Sequence, residues 1–253
     1  WQSRLHGAVH GWAVRLSEHL LPKSRAYHEI WLDGEKVEGG EEEPIYGPTY
    51  LPRKFKAALA LPPVNDVDLF AQDLGFIAIA VGDELVGFNL AVGGGLGTTH
   101  GDATTYPRLA DVVGFLPPER LLAFAEAVVT TQRDFGDRSN RKQARLKYTI
   151  DRMGLAAFVA EVERRAGAPL APARPFAFEH SGDRFGWTEG DDGRWHLTLH
   201  FDSGRVADGI GGDQLSGLRA IARIHRGQSV LPPNQNLVVA GIDAAQRAAI
   251  EAI

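Results

Sequence analysis

The sequence contains no cysteine among its 253 residues. That excludes disulfides, thiolate metal ligands and a cysteine nucleophile within this chain, and any iron–sulfur cluster would need ligands from elsewhere. Positive charge is also in short supply: 27 Lys and Arg stand against 32 Asp and Glu, a formal net charge of -5. A general nucleic-acid binder needs a basic surface or stripe to neutralise phosphates, so that class is set aside and any basic site must be local. Long hydrophobic runs are missing too. None approaches the ~18 residues of a bilayer span, and the N-terminus lacks the basic, apolar and small-residue succession of a signal peptide, so no membrane association and a cytoplasmic location are expected. Neither a Gly-x-Ser-x-Gly elbow nor a His-x-x-x-His pair with a suitable acid occurs among the nine histidines, which leaves hydrolytic chemistry and a histidine metal site without support.

What is present is an ordinary globular composition, 44% hydrophobic and 23% charged, long enough for one large domain or two modest ones. Apolar spacing predicts an amphipathic helix over residues 8–21 closed by Pro22, then a strand and an acidic turn in AYHEIWLDGEKVEGG, with Glu41–Glu43 as a solvated loop. Strand-length apolar runs at Gly75–Ala80 and Glu84–Val92, parted by Gly82-Asp83, predict a hairpin. Helices are expected over Pro118–Gln132 and 154–166, the second ending at Gly167. The segment APLAPARP, with Pro169, Pro172 and Pro175, suits neither a helix nor a central strand and marks a boundary. Beyond it, strands at Arg184–Glu189, Trp195–Phe201 and Asn236–Ala240 and helices at Leu215–His225 and from Ala244 give a β-β-α-β-α order, that of an α+β sandwich or half of one. The chain starts without methionine in a helix-like pattern and ends in another, which reads as an excerpt from a longer protein.

Basic residues gather in two places. YLPRKFKAALALPP, residues 50–63, reads as a short strand in which alternation sends Lys54 and Lys56 to one side and Arg53 and Phe55 to the other. Two ammonium groups side by side repel unless an anion sits between them, so the pair is a candidate anion site; lysines on an edge strand also discourage aggregation. Gln132–Lys147, QRDFGDRSNRKQARLK, carries Arg133, Arg138, Arg141, Lys142, Arg145 and Lys147. Helical from Asn140 onward, it would set Arg138, Arg141 and Arg145 near one face. Such a face grips carboxylates or phosphates, or else is solvated and paired with Asp134, Asp137 and Asp151. The loop GGGLGTTHG, residues 93–101, offers Gly95-x-Gly97, but His100 stands where a dinucleotide fingerprint has glycine or alanine, and no Gly-Lys-Ser/Thr is present for a P-loop. It remains either a flexible loop whose backbone can approach a flat or anionic ligand or a tight turn after the hairpin.

Taken in order, HLLPKSRAYHEIWLDGEKV, PIYGPTYLPRKFKAALALPPVNDVDLFAQDLGFIAIA, LVGFNLAVGGGLGTTHG, AEAVVTTQRDFGDRSNRKQARLKYTIDR and NQNLVVAG resemble the nitrite/sulfite reductase family, nearest the hemoprotein β components of NADPH-type sulfite reductases. The resemblance runs over nearly the whole chain. It implies an α+β fold, with a siroheme-contacting mixed α/β domain over residues 1–174 followed by half of a ferredoxin-like α+β sandwich domain over 183–253. It also implies the six-electron reduction of sulfite to sulfide at a siroheme coupled to a 4Fe-4S cluster, whose cysteines, together with further active-site arginines, lie outside this chain. In that family Lys54 and Lys56 would contact the bound anion. The resemblance also places Arg53, Gly94, Gly95, Arg138, Arg141, Lys142, Arg145 and Gln235 near the cofactor, and the carboxylates of siroheme suit the arginine-rich segment. Sulfite would be the substrate and a flavoprotein reductase component the electron donor. Nitrite reduction within the same family and a cofactor-free scaffold homologue are the alternatives, and the intact Lys54, Lys56, Arg141 and Arg145 count against the second. The chain by itself is therefore expected to reduce no sulfite and to bind siroheme weakly at best, which a steady-state assay and a visible spectrum after reconstitution would check.

Overall fold

A computed structural model describes residues 3–23, 30–33, 35–38, 43–209 and 211–253. Helix α1, Arg4–His19, begins four residues earlier than the apolar spacing indicates because Ser3 caps it, its hydroxyl accepting the His6 N–H at 3.2 Å. The following segment departs from expectation in two ways. Ile30–Leu32 and Glu35–Glu38 pair as a small antiparallel hairpin rather than a strand and an acidic turn, while residues 26–29, 34, 39 and 40 of that stretch lie outside the described residues. Glu43 is buried rather than solvated, because both its carboxylate oxygens accept the Lys23 N–H at 3.0 Å. Glu41 and Glu42 lie outside the described residues.

A four-stranded sheet forms next from β1 (Ala57–Ala60), β2 (Leu74–Val81), β3 (Glu84–Val92) and β4 (Asp111–Leu116), in spatial order β1-β2-β3-β4. The first pair is parallel and the other two antiparallel, with the expected turn at Gly82-Asp83 joining β2 to β3. Alternation explains why β2 and β3 read as nearly unbroken apolar runs. Phe76, Phe88, Leu90 and Val92 face one core with residues of α1, α2 (Leu121–Phe135) and α4 (Leu155–Ala166), whereas Ile77 and Ala91 face a second with Ala60 and Leu69. Both faces of this sheet are therefore covered. A 3₁₀ turn at Pro118–Arg120 leads into α2, and the short helix α3, Leu146–Met153, precedes α4.

The proline-rich boundary joins no regular element, as its composition dictates, yet it is fixed to the first sheet. Ala171 and Phe115 exchange backbone hydrogen bonds of 2.9 and 2.7 Å, and buried Asn89 donates to the Arg174 carbonyl at 2.7 Å while accepting the Arg174 N–H at 2.9 Å. A buried amide so satisfied holds the segment over the second face. After it, β5 (Gly186–Glu189), β6 (Trp195–Leu199), α5 (Gln214–Ile224), β7 (Gln228–Val230), β8 (Leu237–Ile242) and α6 (Ala244–Glu251) follow in sequence. They form an antiparallel sheet of order β7-β8-β6-β5, backed by α5 and α6 through Ile221 and Ile250. The strand β7 has no counterpart in the sequence reading, because GQSV carries too little alternation to register. Among the described residues no helix is long and apolar enough to cross a membrane. Phe88 is fully buried between Trp12 and Phe76 in edge-to-face contacts, so Phe88→Ala should destabilise the fold by about 3–5 kcal/mol, read as a lower denaturation midpoint.

Candidate functional site

The strand of the lysine motif starts only at Ala57, so Arg53, Lys54 and Lys56 lie in the extended lead-in rather than within the strand itself. The expected alternation nevertheless survives. Phe55 packs against the core, while Lys54 and Lys56 are exposed. Lys56 is anchored through its backbone. Its N–H donates to Asp73 Oδ2 at 3.0 Å, and its carbonyl accepts the Leu74 N–H at 3.1 Å, immediately ahead of the Ala57–Leu74 register pair.

Asp73 connects this motif to the basic segment. It is fully buried, and Arg145 donates to it through Nε at 3.2 Å and Nη2 at 2.7 Å. Burial pushes the Asp73 carboxyl above its usual range, against the opposing pull of the Arg145 hydrogen bond and charge. The basic segment is attached at its other end too. Arg138 donates to the carbonyls of Thr49 at 3.1 Å, Tyr50, and Arg133 at 2.9 Å, and Gly136 packs so closely on Pro52 that a Cβ would come within 2.6 Å of its ring. Residues 133–145 thus run beside residues 49–56, tied at both ends. The helical face expected for Arg138, Arg141 and Arg145 does not form: Arg141–Gln143 is a single 3₁₀ turn opened by the Asn140 side chain, and α3 starts only after Arg145. Asn140 and Asp137 prefer to bond the local backbone, and this breaks the helix there.

The glycine loop is the third segment of this junction, and it is tied down at Gly95 and Gly97. Buried Lys147 donates from Nζ to the carbonyls of Gly95 at 2.9 Å, Gly97 at 3.0 Å and Tyr106, with burial and the neighbouring Arg145 lowering its pKa. Gly95 and Arg108 exchange backbone hydrogen bonds of 2.8 and 3.0 Å. A Cβ at Gly94 would meet the Phe70 carbonyl at 2.2 Å, so the glycine there serves close backbone packing. A Cβ at Gly95 would lie 3.3 Å from the Arg145 guanidinium carbon, which brings the loop and the basic segment together. Lys142 and Gln143 add a second junction, donating to Asp102 Oδ2 at 2.8 Å and to the Thr104 carbonyl at 3.1 Å. The Lys142 and Thr104 hydrogen bonds hold the Asp102 carboxyl down to about 2.

These attachments divide the cations into two groups. Arg138, Lys142 and Lys147 are committed to carbonyls or to Asp102. Among the described residues, the side chains of Arg53, Lys54, Lys56 and Arg141 have no hydrogen-bond or ion-pair partner, and Arg145 has none for Nη1. Unpaired positive charge so placed attracts a small oxyanion or a polycarboxylate. Gln235 stands apart. It lies exposed at φ 65° on a turn whose flanking Asn234 and Asn236 donate to Asp183 at 3.2 and 2.7 Å, and among the described residues no hydrogen bond or ion pair ties it to the three segments. A cleft of ≈ 410 Å³ opens elsewhere, between α1 and the second sheet, with His6, Asp66, Asp183 and His196 in its walls; Lys54 and Lys56 do not line it. No histidine and carboxylate cluster among the described residues could hold a metal.

Sequence reasoning missed Asp73 and the clamping role of Lys147. A carboxylate directly before the long apolar run of β2 is a faint signal that a buried charge has a partner, whereas the partner of Lys147 is backbone and leaves no trace in side-chain identity.

Residues 11–170 match the family described as "Nitrite and sulphite reductase 4Fe-4S domain", and residues 188–253 match the "Nitrite/Sulfite reductase ferredoxin-like half domain". The sulfite reductase [NADPH] hemoprotein beta-component of Myxococcus xanthus (strain DK1622) is 70% identical over 251 residues, covering 99% of this chain and 45% of that protein. Its counterpart in Thiocapsa roseopersicina is 62% identical over 253 residues, covering 100% of this chain and 45% of that protein. Among solved structures, the Mycobacterium tuberculosis NirA protein matches with a TM-score of 0.66 at 30% identity, over 80% of this chain and 35% of that one. The chain therefore spans less than half the length of these curated relatives. Lys147→Met should take a donor from the Gly95, Gly97 and Tyr106 carbonyls, leaving Gly95 with the Arg108 N–H alone, and destabilise the fold by about 2–3 kcal/mol, with faster amide hydrogen exchange confined to residues 95–108 at first.

Proposed function

The chain belongs to the nitrite and sulphite reductase family, and on that premise we propose that it is part of a cytoplasmic sulfite reductase hemoprotein in which Lys54 and Lys56 receive sulfite. On this reading residues 1–174 form the siroheme-contacting part and residues 183–253 the ferredoxin-like half-domain. The observation that carries the proposal is the set of unpaired cations, Arg53, Lys54, Lys56 and Arg141, on segments otherwise tightly stitched by Asp73, Arg138 and Lys147. Identity of 70% to a relative named as a sulfite reductase hemoprotein supports sulfite as the anion.

The donor chemistry of this chain fits one of the two implied groups. A chain without cysteine supplies no thiolate for a 4Fe-4S cluster, so that cluster's ligands belong to sequence outside it. Siroheme would fit, because its carboxylates would match the unpaired guanidinium groups of Arg53, Arg141 and the free edge of Arg145, with Lys142 and Arg138 nearby, and Gly95 keeps a side chain away from Arg145 while Gly94 lets the loop pack on the Phe70 carbonyl. Gln235 would approach from the second unit. Bound siroheme coupled to the cluster would pass to sulfite the six electrons its reduction consumes, with a flavoprotein reductase component as their source.

The work left to this chain is electrostatic and protonic. Two ammonium groups on one side of an extended segment offset the charge of bound sulfite and the negative charge that grows on each oxygen as its S–O bond breaks. Each departing oxygen must leave as water, and lysine ammoniums in contact with it are ready proton donors resupplied from solvent, since both side chains are exposed. Backbone anchoring at Lys56 lowers the cost of holding its ammonium in place.

In the full-length protein, Lys54→Ala and Lys56→Ala should each lower sulfite turnover by about 10²-fold while the visible bands of siroheme persist. Wild-type turnover in both variants would reject the assignment, and a protein that shows no siroheme bands after reconstitution would reject the redox reading altogether.

A further inference from the structure

We propose that Asp73 is a positioning residue for the anion site, fixing the direction in which the Lys56 side chain leaves the backbone. The inference rests on the reading of Lys54 and Lys56 as the sulfite-facing pair and adds to it a residue that never meets the anion. Asp73 sits where the parallel ladder of β1 and β2 begins, since Ala57 and Leu74 are its first register pair. One position earlier the Lys56 carbonyl still finds a backbone partner in the Leu74 N–H at 3.1 Å, and the Lys56 N–H is taken instead by the Asp73 carboxylate at 3.0 Å. The side chain thus extends the ladder by one residue. With both peptide groups around Lys56 fixed to the consecutive residues Asp73 and Leu74, at the start of β2, the Cα–Cβ bond of Lys56 has one direction.

Arg145 holds that carboxylate in turn. Its Nε and Nη2 form a fork on Asp73 at 3.2 and 2.7 Å, which fixes the carboxylate plane and supplies the counter-charge that a fully buried anion requires. An apolar residue at position 73 would avoid the desolvation of a carboxylate. The charge is therefore better explained by the geometry it imposes on its two partners than by stability.

The test is a double-mutant cycle on Asp73→Asn and Lys56→Ala in the full-length protein, with sulfite affinity and siroheme content both read from the visible bands. Asp73→Asn should retain siroheme and weaken sulfite binding by between about tenfold and about a hundredfold, and the double variant should bind no more weakly than Lys56→Ala alone. Asp73→Glu, which keeps the charge but moves it by one methylene, should likewise weaken sulfite with siroheme retained. Additive losses, or wild-type affinity in a folded Asp73 variant, overturn the positioning role and leave the lysine reading standing. Wild-type affinity in Lys56→Ala overturns the lysine reading itself and the positioning role with it. If neither Asp73 variant folds with siroheme bound, the residue serves the stability of the fold and the proposal also falls.

Discussion

A carboxylate with no access to water must be satisfied by groups that come to it, and this requirement at Asp73 organises the molecule. Its partners arrive from different parts of the chain: the Lys56 N–H from the lead-in to β1 and the Arg145 guanidinium from the lead-in to α3. The effective penalty for burying such an ion is several kcal/mol, so the arrangement is poor evidence of stability. What it does provide is discrimination. Any packing of the basic segment against the sheet that leaves Asp73 without Arg145 strands a buried charge, and the observed one avoids that.

The same logic sorts the positive charges. Cations that bond carbonyls, such as Arg138 on the 49–50 turn and Lys147 under the glycine loop, act as rivets between segments that share no regular secondary structure. Once these rivets are placed, the unpaired side chains of Arg53, Lys54, Lys56 and Arg141 remain on a surface that the folding of the described residues does not use. A protein of negative net charge that leaves such groups unneutralised carries a local attraction for anions.

The first sheet gives this surface its rigidity. Both faces of β2 and β3 are buried, so strand register cannot slip without exposing one set of side chains and burying the other. The lysine lead-in, the glycine loop and Asp73 all attach directly to ends of these strands. Sites on the ends of fixed strands inherit their precision, and Gly94 lets the backbone turn against the Phe70 carbonyl without a side chain in the way.

Much of this was legible in the chain. The runs GFIAIA and ELVGFNLAV specify paired strands because a doubly buried sheet needs near-continuous apolar sequence, and the spacing of Leu121, Leu122, Ala125, Val128 and Val129 specifies a helix face. The alternation of Lys54, Phe55 and Lys56 was readable too, since Phe55 seeks the core whether or not its neighbours form a ladder. The exposure of Glu43 and the common helical face of Arg138, Arg141 and Arg145 were misread for one shared reason. Each depends on a hydrogen bond to the backbone that side-chain identity does not announce: the Lys23 N–H for Glu43, and the Asn140 and Lys142 N–H groups taken by Asp137 and Asn140 in the basic segment; the Lys147 ammonium on the Gly95 and Gly97 carbonyls went unseen for the same reason. The sequence by itself determined which apolar runs would be buried and which cations were available. Only the tertiary structure decided which of those cations were used up within the fold, because a charge is committed by whatever lies within about 3 Å of it, and residue identity alone does not say what that will be.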